Sequence, residues 1–254
     1  MRRELAAGAD PLTTGNDDHN GSLIHLVCER RDSVHYGAEP QAEELNRVAI
    51  VEELLAAGVP PDLVDETNDF TVTFYASRYN RPLILAALIK AAGPNAAALV
   101  TTHRGLSHGE ALLVVPAYWS DLQIASMSGH AECVRVLLSA GAGSGINDRN
   151  PMGLTALGCA IKDSRRHIYP ILLAAGATFP PVDAALCPQA WTSRIDDALT
   201  HDPYLQKIRA LGFPAYERTH RQALATKFAA KAFPRLPTDV AGHVVAFAFH
   251  LGYY

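Results

Sequence analysis

Five residues near the middle of the chain have the spacing of a catalytic device. Gly105-Leu106-Ser107-His108-Gly109 fits G-x-S-x-G, the turn that holds a nucleophilic serine in serine hydrolases. That chemistry needs Ser107 on a sharp strand-to-helix turn within a parallel sheet, and Ala97 to Thr102 would have to be the strand. The segments on both sides read as helices, which leaves no sheet to carry the elbow. No P-loop or H-E-x-x-H pattern occurs, and no carboxylate pair stands out. The four cysteines, Cys28, Cys133, Cys159 and Cys187, form no C-x-x-C pair and have apolar neighbours. They read as small buried hydrophobes in a reducing compartment, without metal or redox work. No cofactor is expected, and a serine hydrolase built on Ser107 is the remote alternative.

Composition narrows the classes further. The chain has 254 residues, 48% of them hydrophobic, with Lys+Arg 22 against Asp+Glu 26 and a formal net charge of -4. A broad phosphate-binding surface needs clustered Lys and Arg, so nucleic acid is not the expected partner. The patch Arg218, His220 and Arg221 suits a solvated helix face. Met1-Arg2-Arg3-Glu4-Leu5 lacks the apolar run of a secretory signal, and no uninterrupted apolar stretch approaches the roughly 20 residues of a membrane helix. The expectation is a monomer in the cytoplasm, or the nucleus, that meets no membrane.

The elements that would position any site are repeated. One phrase, an apolar helix end followed by glycine, recurs at Leu5-Ala6-Ala7-Gly8, Leu55-Ala56-Ala57-Gly58, Lys90-Ala91-Ala92-Gly93, Leu138-Ser139-Ala140-Gly141 and Leu173-Ala174-Ala175-Gly176. The glycines lie 50, 35, 48 and 35 residues apart. Each marks a helix exit through the left-handed region, which costs least without a Cβ. A second phrase precedes each glycine after the first. It is clearest in Gly153-Leu154-Thr155-Ala156-Leu157-Gly158-Cys159-Ala160 and recurs around Ser22 to Val27, Thr71 to Ala76 and Ser120 to Ala125. Its leading Ser or Thr is an expected helix N-cap. Residues 4–10 read as the end of a unit whose first half is missing or degenerate.

The second phrase resembles the ankyrin pattern G-x-T-P-L-H-x-A, and Gly129-His130 matches the family's G-H. The resemblance covers residues 1 to about 178 and implies an all-α solenoid of four to five helix-turn-helix units with finger loops. One unit cannot bury its own apolar face, so the next supplies the core; Leu137, Leu138, Leu172 and Leu173 would serve it, with Ala125 and Ala160 small where helices approach. The resemblance gives His25 an inter-repeat hydrogen-bonding role. The expected division is 1–178 for the array and 179–254 for a helical C-terminal segment, with helices at Tyr204 to Leu211 and Tyr216 to Phe233. Two insertions are expected: a solvated loop near 31–48 and a mixed segment at 94–119.

The resemblance implies that the finger tips and the concave face of the first helices hold a protein partner. Carried onto this sequence, that surface is Arg30, Arg78, Tyr79, Met127, Lys162 and Asp163 at the helix ends, with Phe70, Trp119, Asn150 and Met152 on the fingers. The implied function is a non-catalytic interaction scaffold. The tail from Leu236-Pro237-Thr238-Asp239-Val240 resembles the opening of an F-box and, more loosely, a SOCS box. That makes a ubiquitin-ligase substrate receptor the alternative; otherwise the tail, with Thr238 as N-cap, caps the last unit.

Overall fold

The computed structural model describes residues 22–29, 40–65, 70–101, 119–179 and 187–232, with residues 237 and 240. Arg30, Ser107 with its surrounding 102–118 segment, residues 4–10 and, apart from residues 237 and 240, the F-box-like tail with its N-cap candidate Thr238 lie outside the described residues. Among the described residues the fold is all-helical, with a single bridge between Val64 and Thr71. The helices come in pairs: α1 (Leu23–Glu29) with α2 (Pro40–Ala56), α3 (Val72–Arg78) with α4 (Pro82–Ala92), α6 (Asp121–Ser128) with α7 (Ala131–Ser139), and α8 (Ala156–Lys162) with α9 (Tyr169–Ala174). A short α5 (Ala96–Thr101) follows α4.

First helices pack on first helices, α1 on α3, α3 on α6 and α6 on α8, and second helices do likewise through α2, α4, α7 and α9. Each pair therefore lends its neighbour an apolar wall. Val51 and Leu54, then Ile84, Leu85 and Leu88, then Val134 and Leu137, then Leu172 are all fully buried along the second helices. Ala76, Ala125 and Ala160 are equally buried in the first helices, where small side chains allow close approach.

Local chemistry sets the helix ends. Thr71 Oγ1 accepts from Phe74 N at 3.1 Å and Thr155 Oγ1 from Gly158 N at 3.2 Å. Ser120 forms a reciprocal capping box with Gln123. Ser22, at the matching position, shares a hydrogen bond with His25 Nδ1 at 2.9 Å. All four described glycines of the recurring phrase, Gly58, Gly93, Gly141 and Gly176, lie at positive φ. Gly129 also ends α6 at φ 86, and a Cβ there would meet Arg165 Cδ at 2.9 Å. Arg165 is pinned by its Nε bond to the Met127 carbonyl, so it yields at a cost. Gly129→Ala is expected to destabilise the fold by about 1–2 kcal/mol in denaturant unfolding, the cost of a left-handed L-residue.

The described parts of the two insertions are helical. The stretch near 31–48 was expected to be a loop, yet α2 begins at Pro40 and makes its second half helical. Proline at the first turn and the helix formers Gln41 to Glu44 explain the onset. Arg47 within it is buried and donates from Nη1 to the Val27 carbonyl at 3.0 Å. The 94–119 segment opens as a 3₁₀ turn at Gly93–Asn95 and then α5, whose Leu99 and Val100 are buried. The 20-residue helical run Pro82–Thr101, of mean hydropathy 1.8, is long and apolar enough to cross a membrane by length and composition, although Lys90 and Asn95 interrupt its apolar sequence. Gly93, at φ 54, interrupts the run, and its buried Ile84, Leu85 and Leu88 serve the stack between α2 and α7.

The chain divides into two compact units, Met1–Asp196 and Asp197–Tyr254. Residues 187–196, beyond the expected boundary at 178, belong to the first unit. Cys187 is buried there, and the ring of Trp191 lies 4.3 Å from Lys162 Nζ. A helix not expected from the sequence, α10 (Gln189–His201), crosses the division. In the second unit α11 (Pro203–Leu211) is capped by Asp202 Oδ1, which accepts from Tyr204 N at 2.9 Å. It packs on α12 (Phe213–Ala232), with Tyr204 edge-on to Tyr216 at 5.2 Å.

Candidate ligand-binding surface

The expected surface residues fall into two groups. Arg78, Tyr79, Met127, Met152 and Asp163 are partly exposed; Phe70, Trp119, Asn150 and Lys162 are not. Tyr79 closes an aromatic column. Phe70 stacks on Phe74 at 4.3 Å, Phe74 stands edge-on to Tyr75, and Tyr75 stacks on Tyr79 at 6.2 Å. Tyr75 also donates its hydroxyl to Asp65 Oδ2 at 2.6 Å, which ties the column to the preceding finger. Arg78 Cζ lies 5.8 Å from the Tyr79 ring centroid. The outcome is a half-exposed ring held from below, a low-entropy contact for a ligand. On the next first helix Met127 stands at the register of Arg78, one residue before that of Tyr79.

The four buried residues correct the sequence reading, each for a physical reason. Phe70 is 8% exposed because the position just before the N-cap seals the core beneath the finger; Trp119, at 2%, and Leu154 occupy the same register. Asn150, at 3%, spends its side chain on the backbone: Oδ1 accepts from Met152 N at 3.0 Å and Leu154 N at 2.9 Å. Lys162, at 8%, is covered by Trp191 and paired with Asp163 at 2.9 Å. None of these four offers a partner a free side chain.

Sequence reasoning passed over the polar groups that join the pairs. Gln123 occupies the histidine slot of the repeat pattern. Its Nε2 donates to the carbonyls of Asp148 at 2.9 Å and Leu154 at 3.4 Å, linking the third pair to the finger before the fourth. His130 Nε2 donates to the Arg78 carbonyl at 3.0 Å and His167 Nε2 to the Gly129 carbonyl at 2.8 Å. The Gly129-His130 pair was visible in the sequence, but its backward reach was not. Burial, and then the charges of Arg165 and His167, hold the His130 pKa below its ordinary value against the Arg78 bond.

Burial shifts several titratable groups inside the described core. Cys28 and Cys133 have thiols pushed up to about 12 by burial, Cys159 moves the same way, and all four cysteines are free. Thiols so protonated are poor nucleophiles. Asp121 is buried in the first turn of α6 with its pKa raised to about 7, by desolvation and against a hydrogen bond with Thr73. Among the described residues no cluster of three His, Cys, Asp or Glu is placed to hold a metal.

Two comparisons bear on this arrangement. The chain is 31% identical over 120 residues to "Glycerophosphocholine phosphodiesterase gde1" of Schizosaccharomyces pombe, which is 47% of this chain and 9% of that protein. The chain thus spans under a tenth of that relative's length. Residues 122–151 match the family model described as Ankyrin repeat, which takes in α6, α7 and the finger that follows. That match places one ankyrin repeat in this chain, at residues 122–151.

Proposed function

We propose that the chain is a non-catalytic protein-interaction scaffold, its four stacked helix pairs being ankyrin units of one solenoid. The observation that carries this reading is the division of labour along the first helices. Their inward residues are consumed by stacking, while residues at two adjacent positions past the N-cap stand partly exposed, Arg78 and Met127 at the first and Tyr79 and Asp163 at the second, with Met152 on a finger. Arg30 belongs to the second of these positions in the sequence. We take the chain to be a cytoplasmic monomer whose partner is another protein, not nucleic acid or membrane. The likeness to the fission yeast phosphodiesterase covers too small a part of that protein to bring its activity with it.

Capture from a native lysate tests this. Tyr79→Ala combined with Met127→Ala is expected to weaken capture of the wild-type partner at least about tenfold, at unchanged helicity, because aromatic anchors dominate interfaces. Equal capture by both forms contradicts the reading. Ubiquitin-ligase components that are captured by the whole chain, but not by a chain ending at Phe233, would replace the scaffold with a substrate receptor. Fluorophosphonate labelling abolished by Ser107→Ala would replace it with a hydrolase.

A further inference from the structure

A second surface lies in the C-terminal unit, at the turn where α11 ends at Leu211 and α12 begins at Phe213. Gly212, at φ 78, makes the turn, and its amide donates back to the Ile208 carbonyl at 2.8 Å. Leu205 and Ile208 are buried, which uses the inward face of α11. The tip itself stays open. Leu211 is 56% exposed, Ala210, Gly212 and Pro214 are exposed, and Phe213 is partly so. Single exposed apolar residues are ordinary; a leucine, a phenylalanine and a proline together at one turn make a patch.

Cations stand around this point. Lys207 lies one helical turn behind Leu211 on its side of α11, and Arg218 one turn behind Pro214 on its side of α12, each pair about 5–6 Å apart between Cβ atoms. Arg209 takes the other flank of α11. All three are exposed, and none makes a hydrogen bond or ion pair among the described residues. From Pro203 to Lys231 every charged residue except Glu217 is basic, and Glu217 is engaged by Arg221. The helix pair therefore has no acid left over for these three. Behind the tip, Tyr204 and Tyr216 are both partly exposed and meet edge-on at 5.2 Å.

We propose that this tip, Leu211 and Phe213 ringed by Lys207, Arg209 and Arg218, docks on the surface of an anionic lipid bilayer. Leu211 enters the headgroup boundary while the cations meet the lipid phosphates and carboxylates. A protruding apolar point within a ring of positive charge is complementary to a flat anionic surface with an apolar interior. Tyr204 and Tyr216 follow at the depth of the headgroups, where a ring with an apolar body and a polar end is favoured. Nucleic acid would use the cations but leave Leu211 and Phe213 in water, and an acidic protein would need a cavity to receive the point. The acids behind the chain's net charge of -4 precede Pro203, apart from Glu217 and Asp239. A peripheral contact needs no spanning segment. The array's partner remains a protein, and the exclusion of a membrane applies to the array alone.

The test is co-sedimentation of the whole chain with vesicles at low salt, of phosphatidylcholine alone or of equal parts phosphatidylcholine and phosphatidylserine. Binding is expected to the mixed vesicles only, and to weaken as salt is raised toward about 0.15 M. Leu211→Ser should weaken it about tenfold, the effect of withdrawing one leucine from an apolar medium. Lys207→Gln with Arg218→Gln should weaken it at least about tenfold, whereas Lys207→Arg with Arg218→Lys, which keeps both charges, should stay within about twofold of wild type. All three side chains are exposed, so the variants leave the core intact, and unfolding curves check that each folds. Equal binding to phosphatidylcholine alone, or binding of Leu211→Ser as tight as wild type, overturns the proposal. Tighter binding to single-stranded DNA than to the mixed vesicles overturns it too and assigns the cations to phosphates of nucleic acid. If the mixed vesicles fail to bind while lysate capture still depends on Tyr79 and Met127, the tip is wrong and the scaffold stands.

Discussion

Leu137→Ala is expected to lower the unfolding free energy by about 3 kcal/mol, within the 2–5 kcal/mol that burying and then truncating a leucine typically spans. Leu137 is fully buried on α7, which packs on α4 before it and α9 after it. The lost methyls therefore open a gap shared by three layers. A helix held on both sides cannot collapse into the space, so the cavity term adds to the transfer term. Equilibrium urea unfolding gives the number; a change under about 1 kcal/mol is inconsistent with this packing.

Asp121→Pro is expected to act in the opposite direction, and to do so with a pH signature. Asp121 is fully buried, and its Oδ2 has no hydrogen-bond partner. Burial raises its pKa from 3.8 to about 7, so between those values the folded state holds a proton that the unfolded state has released. Stability from this group therefore falls as pH rises through that window and stays low above it. Roughly 3 pH units of displacement correspond to roughly 4 kcal/mol, and solvent relaxation around the carboxylate leaves about 2 of them measurable. Proline fits the backbone. The site is the first residue of α6, the repeat pattern carries proline there, and Ser120 at φ -76 and ψ 155 already has the conformation proline demands of its predecessor. Melting curves at about pH 8 should show the variant more stable by about 2 kcal/mol, the gain shrinking toward about pH 4. A gain independent of pH would mean that the carboxyl is not its source. His130 contributes the reverse slope: its lowered pKa means stability lost as pH falls below 6.5, in both proteins alike.

The parts of the fold that were legible in the sequence are those fixed by backbone chemistry. Thr71, Ser120 and Thr155 cap helices, and Gly58, Gly93, Gly141 and Gly176 leave them, because few residue types can do either. Recurrence at similar spacing made those signals readable together. Side-chain direction was less legible. Phe70, Trp119 and Asn150 lie on fingers, which suggested exposure, yet the bases of the fingers close the core and Asn150 turns inward to satisfy two N–H groups. Lys162 was misread because nothing in its own unit announces Trp191, which is brought over it by a helix 29 residues later. The charged run Glu43-Glu44 looked like solvated loop; in α2 such residues favour helix as much as they favour water. Gln123, His130 and His167 escaped notice because their partners are carbonyls of neighbouring units, and a carbonyl has no sequence signature.

The claim beneath all of this is that successive helix pairs share one core. Native-state amide hydrogen exchange of Leu137→Ala against wild type tests it most directly. Shared packing predicts faster exchange in α4 and α9 as well as in α7, whereas acceleration confined to α7 and its own partner α6 would show that the pairs stand independently.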